Sequence, residues 1–161
     1  MGKHTTAGES PRGARGFTLV EIVLVTLLLG ILAGVATPKF AGSLRRVKAE
    51  AACRRIASDL LLARHNAVDR SSTQEVEFNV AGSSYTLPGI AHLDRANATY
   101  SVSLGAAPYQ AELVSAVLGA DAEVMFDQYG QPDSGGVITV RVGTTTGTVT
   151  LNAASGLPTV P

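Results

Sequence analysis

Glu21 is the residue of this 161-residue chain whose chemistry most needs an explanation, because it begins an otherwise uncharged apolar stretch. No charged residue follows it until Lys39, and the residues between are rich in Leu, Val, Ile and Ala. An ionised side chain costs about 2.5–3.5 kcal/mol at the centre of a membrane-spanning helix and less near its end. The sequence therefore predicts either a partner for this carboxylate or a side chain that reaches the membrane surface.

The six residues Gly16-Phe17-Thr18-Leu19-Val20-Glu21 resemble the cleavage signature of type IV prepilins and type II secretion pseudopilins. The resemblance implies a prepilin peptidase that cuts between Gly16 and Phe17 and then N-methylates Phe17. The new α-amino group would be cationic at neutral pH. Glu21 could neutralise it within one helix or on a neighbouring subunit, which makes Glu21 the expected assembly residue.

Residue types that often carry catalysis or bind metals do not form a site in this sequence. Cys53 is the single cysteine, so no internal disulfide can form. The three histidines lack metal-ligand spacing; they are His4, His65 and His92. Asp133-Ser134-Gly135-Gly136 is similar to the nucleophile motif of trypsin-like proteases, but the histidine motif of that family is absent and we interpret the segment as a turn.

Three aspartates in the second half of the chain could in principle bind Ca²⁺, but their spacing has no ligand-loop signature; they are Asp121, Asp127 and Asp133. We therefore expect no cofactor, no metal and no enzymatic activity. The formal net charge is +0, and Ser155 to Pro161 contains no Lys or Arg. Because phosphate contacts need clustered basic residues, the sequence argues against nucleic-acid binding.

Four segments are predicted along the chain. Residues 1–16 are a basic leader that is removed, and residues 17–38 form a transmembrane and assembly helix, since about 20 apolar residues span the ~30 Å hydrocarbon core. Residues 39–70 form the amphipathic half of the same helix, and residues 71–161 form an antiparallel β domain. Pro38 removes a helix hydrogen bond, so a kink is expected there.

An apolar stripe on the second half of the helix is predicted to pack on the sheet. Its members are Phe40, Leu44, Val47 and Ala51, followed by Ile56, Leu60, Ala63 and Ala67. Residues 57–68 also resemble the segment before the first strand in the GspH/FimT group of minor pilins and pseudopilins, through Leu60, Ala63, Arg64 and Ala67. We expect Arg64 to bind no ligand and Cys53 to be a small buried residue.

From Thr73 onward the apolar residues alternate with polar ones, which is typical of half-buried strands. The expected strands are 73–80, 84–87 ended by Pro88-Gly89, 99–104, 112–118, 123–126, 137–142 and 148–152, with a five-residue hairpin loop at 143–147. One face of a twisted antiparallel sheet would pack on the helix and the other would face water. The fold class is α+β, the pilin fold that the resemblance implies.

The resemblance implies a structural minor pilin or pseudopilin of a type II secretion or type IV pilus machine. Its partners would be the prepilin peptidase, other pilin or pseudopilin subunits and the inner membrane, with the leader cytoplasmic and the β domain periplasmic before incorporation into a fibre. One alternative is a FimT-like minor pilin that aids DNA uptake. Another is an exported soluble domain released by cleavage after Ala36, because Gly34-Val35-Ala36 has small residues where a signal peptidase would read them.

Overall fold

The computed structural model describes residues 16–92 and 98–161, without the side chains of residues 34–39. The chain divides into two compact units, Met1–Lys39 and Phe40–Pro161. Gly16 is the only residue of the predicted leader within the described part, so the rest of the leader lies outside it.

A single helix dominates the described residues. Helix α1 spans Leu19–Arg70, 52 residues. At its end Ser71 has a φ of +49°, and Ser71 and Ser72 donate their amide N–H groups to the carbonyls of Val68 and Ala67. This is a Schellman arrangement, in which a left-handed residue satisfies the last carbonyls of a helix. The kink predicted at Pro38 falls in residues 34–39, outside the described side chains, and stays a prediction.

Eight strands follow the helix and form two four-stranded antiparallel sheets. The strands are β1 (Gln74–Asn79), β2 (Ser84–Ala91), β3 (Thr99–Ser103), β4 (Glu112–Leu118), β5 (Glu123–Phe126), β6 (Gly136–Val142), β7 (Thr145–Leu151) and β8 (Pro158–Thr159). The first sheet has the order β3-β2-β1-β5 and the second has the order β4-β6-β7-β8. The predicted α+β class is confirmed, and β4 and β5 have the bounds that the alternation predicts.

The core lies between the second half of α1 and the inner faces of both sheets. On the helix it uses mostly small residues: Ala49, Ala52, Cys53, Ile56, Leu60, Ala63 and Ala67 are all buried. The strands contribute larger side chains, among them Tyr85, Leu87, Leu113, Phe126, Ile138 and Val140.

The first half of the predicted apolar stripe was wrong. Phe40, Leu44 and Val47 are 75%, 47% and 61% exposed, and Ala51 is exposed as well. The buried face is instead rotated onto Ala49, Ala52 and Cys53. The reason is a close approach of β7, because a Cβ placed on Gly147 would come within 2.7 Å of the Cys53 Sγ, and only small helix residues fit against it.

Two strand boundaries also differ from the sequence expectation. Strand β2 continues through Pro88-Gly89, with a register shift between Leu87 and Ala91; Gly89 has a φ of +79° there, as irregular strand positions with glycine often require. Strand β7 begins at Thr145, which pairs with Val142. The hairpin loop is therefore two residues long, with a φ of +60° at Gly143, the position at which a type II′ turn needs a positive φ.

Candidate functional site

The start of α1 is fixed by Thr18, which acts as its N-cap. The Thr18 carbonyl accepts the amide N–H of Ile22 at 3.2 Å, and the Thr18 Oγ1 accepts the amide N–H of Glu21, also at 3.2 Å. An N-cap hydroxyl bonded to the third helical amide is one half of a capping box, and Glu at that third position is the residue type that the other half uses. Sequence reasoning missed this role, although the Thr-x-x-Glu spacing signals it.

Glu21 therefore lies in the first turn of α1, where a negative charge interacts favourably with the helix dipole. It is exposed, and with Phe17, Ile22, Val25 and Thr26 it lines a shallow cleft of about 220 Å³. Within the described residues its carboxylate has no ion-pair partner. The Phe17 nitrogen is still a peptide nitrogen here, so the contact between Glu21 and a free amino group stays a prediction.

The first half of α1 carries apolar side chains on all its faces. Every Leu, Val and Ile from Leu19 to Leu32 is exposed, and the least exposed of them is Val25 at 48%. The polar Thr26 is satisfied within the helix, because its Oγ1 donates to the Ile22 or the Val23 carbonyl at 3.0 and 2.9 Å. A helix that is hydrophobic all round is one that other apolar groups must cover.

Among the residues that the structure describes, no helix contains a stretch that is both long enough and apolar enough to span a membrane.

A buried carboxylate joins α1 to the first sheet, and sequence reasoning missed it. Asp59 is 4% exposed. Its Oδ2 accepts from the Tyr85 hydroxyl at 2.6 Å and from the Arg55 Nε at 3.0 Å, and its Oδ1 accepts from the Tyr100 hydroxyl at 2.9 Å. Arg55 also donates to the Tyr100 hydroxyl. The helical spacing 52, 56, 59, 63 placed Asp59 on the buried face, and this signal could have identified it.

The network shifts the titration of its members. Burial, reinforced by the Asp59 charge, raises the pKa of Tyr85, and burial and the hydrogen bond to Asp59 raise the pKa of Tyr100 to about 12. Burial is the largest single influence on Arg55 and disfavours its charge, but Asp59, Tyr100 and Tyr85 together outweigh burial and raise the pKa of Arg55. Both phenols thus stay protonated and donate to one carboxylate, which is how a buried charge is stabilised.

Leu60, Ala63 and Ala67 are buried at 1%, 0% and 0% exposure in the core between α1 and the sheets. Arg64 lies beside them and donates from Nε to the Gly130 carbonyl at 3.0 Å. Gly156 packs against the same carbonyl, since a Cβ on it would come within 2.8 Å. Arg64 therefore holds the loop between β5 and β6 against the helix.

The remaining candidate residues have structural surroundings. Cys53 is 1% exposed, and burial, with Glu50 adding to it, raises the pKa of its thiol, so the nucleophilic thiolate is disfavoured. Asp127 accepts the amides of Tyr129 and Gln131 through Oδ1, and Asp133 accepts that of Met125. His65 is exposed. Over residues 16–92 and 98–161, no group of His, Cys, Asp and Glu side chains has the arrangement of a metal site.

Comparison with known proteins gives two findings. A family model described as the prokaryotic N-terminal methylation motif matches residues 11–37. The crystal structure of the type IV minor pilin FimU from Pseudomonas aeruginosa strain PAO1 superposes with a TM-score of 0.51 at 12% identity, over 72% of this chain and 90% of that chain. No curated protein sequence matches. The motif match confirms the prepilin resemblance of the N-terminal segment, and the structural match confirms the pilin fold.

Proposed function

We propose that this chain is a structural minor pilin or pseudopilin subunit of a type IV pilus or type II secretion machine, made as a precursor and cut between Gly16 and Phe17. The observation that carries the proposal is the coincidence of two features at one place. The methylation motif covers residues 11–37, and helix α1 is capped by Thr18, two residues after the bond that would be cut.

The surroundings of this bond suit a peptidase substrate. Residues 16–18 precede the helix, and Phe17 is 78% exposed. No atom of the described chain lies within 4 Å of a Cβ built on Gly16, so this chain itself has no steric need for glycine there. The requirement for Gly16 would then come from the peptidase, which must approach the backbone closely.

After cleavage, the apolar half of α1 would hold the subunit in the inner membrane with its β domain in the periplasm. Assembly would move this helix from lipid to the helices of other subunits, so its exposed apolar side chains exchange one apolar environment for another. Glu21 and the methylated amino group of Phe17 would supply the polar contact that sets the register. In this role the protein is a substrate of the prepilin peptidase and not an enzyme.

The test is the mass of the mature N-terminus after co-expression of the full chain with a prepilin peptidase. We expect a chain that begins with methylated Phe17. The Gly16→Leu variant should remain a full-length precursor, whereas Gly13→Leu, a matched change in the leader, should be processed normally. A mature chain that begins at Thr37 would overturn the proposal and support the exported soluble domain cut after Ala36.

DNA uptake is the other alternative, although Ser155 to Pro161 contains no Lys or Arg. Phosphate binding by basic side chains weakens steeply with salt. Titration of the full chain with double-stranded DNA at about 50 and about 200 mM salt therefore separates the two roles. We expect no salt-sensitive binding.

A further inference from the structure

Two neighbouring arginines of α1 differ from all others in the described part of the chain. Seven arginines lie in residues 16–92 and 98–161, and five of them have a partner: Arg54 with Glu50, Arg55 with Asp59, Arg64 with Gly130, Arg70 with Gly89 and Arg141 with Glu112. Arg45 and Arg46 have neither an ion pair nor a hydrogen bond within those ranges. Their charges are available to something outside the chain.

The two side chains lie beside the hairpin of β6 and β7, which does not neutralise them. The Cδ and Nε of Arg45 lie 3.2 Å from a Cβ built on Gly143, so the side chain rests on the turn between β6 and β7. Arg46 lines a cleft of about 380 Å³ beside Thr145 to Thr148. Both residues are exposed.

Their surroundings combine positive charge with exposed apolar groups. Phe40, Leu44 and Val47 are 75%, 47% and 61% exposed on the same turns of α1. No acidic residue occurs between Glu21 and Glu50, and Glu50 is already paired with Arg54 at 2.5 Å. The segment 40–48 is thus basic and apolar, and it directly follows the apolar run in the sequence.

We propose that Arg45 and Arg46 bind the anionic headgroups of membrane phospholipids at the surface where the apolar run leaves the bilayer. The inference rests on the membrane insertion in the proposed function. Basic residues just beyond a membrane helix attract anionic lipid. The contact would hold the subunit at the membrane surface until it is extracted into a fibre.

The reach of the two side chains fits this position. Arg45 follows Phe40 by five residues, about 7.5 Å along a helix, and the headgroup layer is about 5–8 Å deep on each side. The Cα–Cβ bonds of a helix tilt toward its N-terminus, so the side chains of Arg45 and Arg46 start in the direction of Phe40. Long basic side chains use their aliphatic stems to place the charge at such a surface.

The experiment uses the full chain in nanodiscs of equal phosphatidylglycerol and phosphatidylcholine, followed by native mass spectrometry of the lipids that stay bound after release. We expect phosphatidylglycerol to be enriched, with about a fivefold loss of that preference for each of Arg45→Gln and Arg46→Gln and retention in Arg46→Lys. The preference should fall at high salt, where surface charges are screened. Lys39 is kept in every variant.

Arg54→Gln is the matched control, because it removes a guanidinium from the same helix that already has a partner; it should keep the preference. Equal loss in this control, or no preference in the wild-type chain, would overturn the proposal. Salt-sensitive self-association in phosphatidylcholine alone, without a lipid preference, would also overturn the proposal. It would show that the two arginines bind a second copy of this chain and not lipid headgroups. A chain that does not enter nanodiscs would contradict the proposed function itself, which separates the two failures.

Discussion

Asp59 joins α1 to the first sheet through hydrogen bonds from Tyr85 of β2 and Tyr100 of β3. A buried carboxylate is expensive unless hydrogen bonds satisfy it, and here two tyrosine hydroxyls and Arg55 do so. The network is fully satisfied, so it fixes one register of the helix against β2 and β3.

Asp59→Ala should lower the free energy of unfolding by about 3–5 kcal/mol, because it leaves the O–H donors of two buried tyrosines and one N–H donor of Arg55 without an acceptor. Asp59→Asn should cost less, since the amide still accepts one hydrogen bond. Urea unfolding of the full chain in detergent measures both. Glu50→Gln is the control, an exposed pair expected to change stability by less than about 1 kcal/mol; equal effects of Asp59→Ala and Glu50→Gln would contradict the role.

The same network predicts a loss of stability at alkaline pH. The folded state raises the pKa of Tyr85 and of Tyr100, the latter to about 12, so above about pH 10 the unfolded chain releases phenolic protons that the folded chain keeps. The stabilisation is complete below that pH and is lost as pH rises toward the folded pKa, by up to about 1.4 kcal/mol per pH unit per tyrosine. Tyr85→Phe should flatten this slope.

Unfolding curves between about pH 9 and about pH 12 provide the measurement. Tyr129→Phe is the matched variant, because that residue is 74% exposed and outside the network. If Tyr85→Phe and Tyr129→Phe reduced the dependence of unfolding free energy on pH equally, the buried tyrosines would not be its cause.

At the scale of elements, the contact between β7 and α1 explains why the sequence predicted only half of the helix face. Apolar periodicity identifies a stripe but does not measure the space that a neighbouring strand leaves. Ile56, Leu60, Ala63 and Ala67 are buried, whereas Phe40, Leu44 and Val47 are exposed. Gly147 of β7 meets the helix at Ala49 and Cys53, which the predicted stripe does not include. The distance between the backbones of β7 and α1 determines which helix face is buried, and no single residue type in the sequence predicts that distance.

Gly147→Ala should therefore destabilise the fold by about 1–3 kcal/mol, because its Cβ would lie 2.7 Å from the Cys53 Sγ. Cys53→Ala in the same chain should recover part of this loss, so the two changes are non-additive. Thermal unfolding of the single and double variants gives the coupling energy. Gly105→Ala is the control, since its Cβ would lie 3.8 Å from the nearest atom; simple additivity would rule out the close contact as the cause.

The boundaries of other elements likewise depend partly on local sequence and partly on tertiary contacts. The bounds of β4 and β5 followed from alternation alone. The extension of β2 through Pro88-Gly89 did not, because pairing of Ala91 with Thr99 overrides the local breakers. Polar residues were the weakest point, since the burial of Asp59 was not predicted and Thr18 was considered only as part of the cleavage signature.

At the scale of the whole molecule, the prediction concerns Glu21 in assembly. Glu21→Ala should be cut by the prepilin peptidase but enter fibres at least about tenfold less, since each 1.4 kcal/mol is a factor of ten and an unanswered ammonium in an apolar environment costs more than that. Counting subunits in purified fibres by quantitative mass spectrometry, against the unchanged level in cells, measures it. Unaltered incorporation would contradict the assembly role.

The apolar girdle of α1 between Leu19 and Leu32 has a further consequence. A helix with apolar side chains on all faces has no preferred rotation about its own axis in a lipid bilayer, so such a rotation would cost almost no free energy. The rotational angle would then be set by contacts with neighbouring subunits at the moment of docking, and Glu21 near the start of the helix would supply the polar contact.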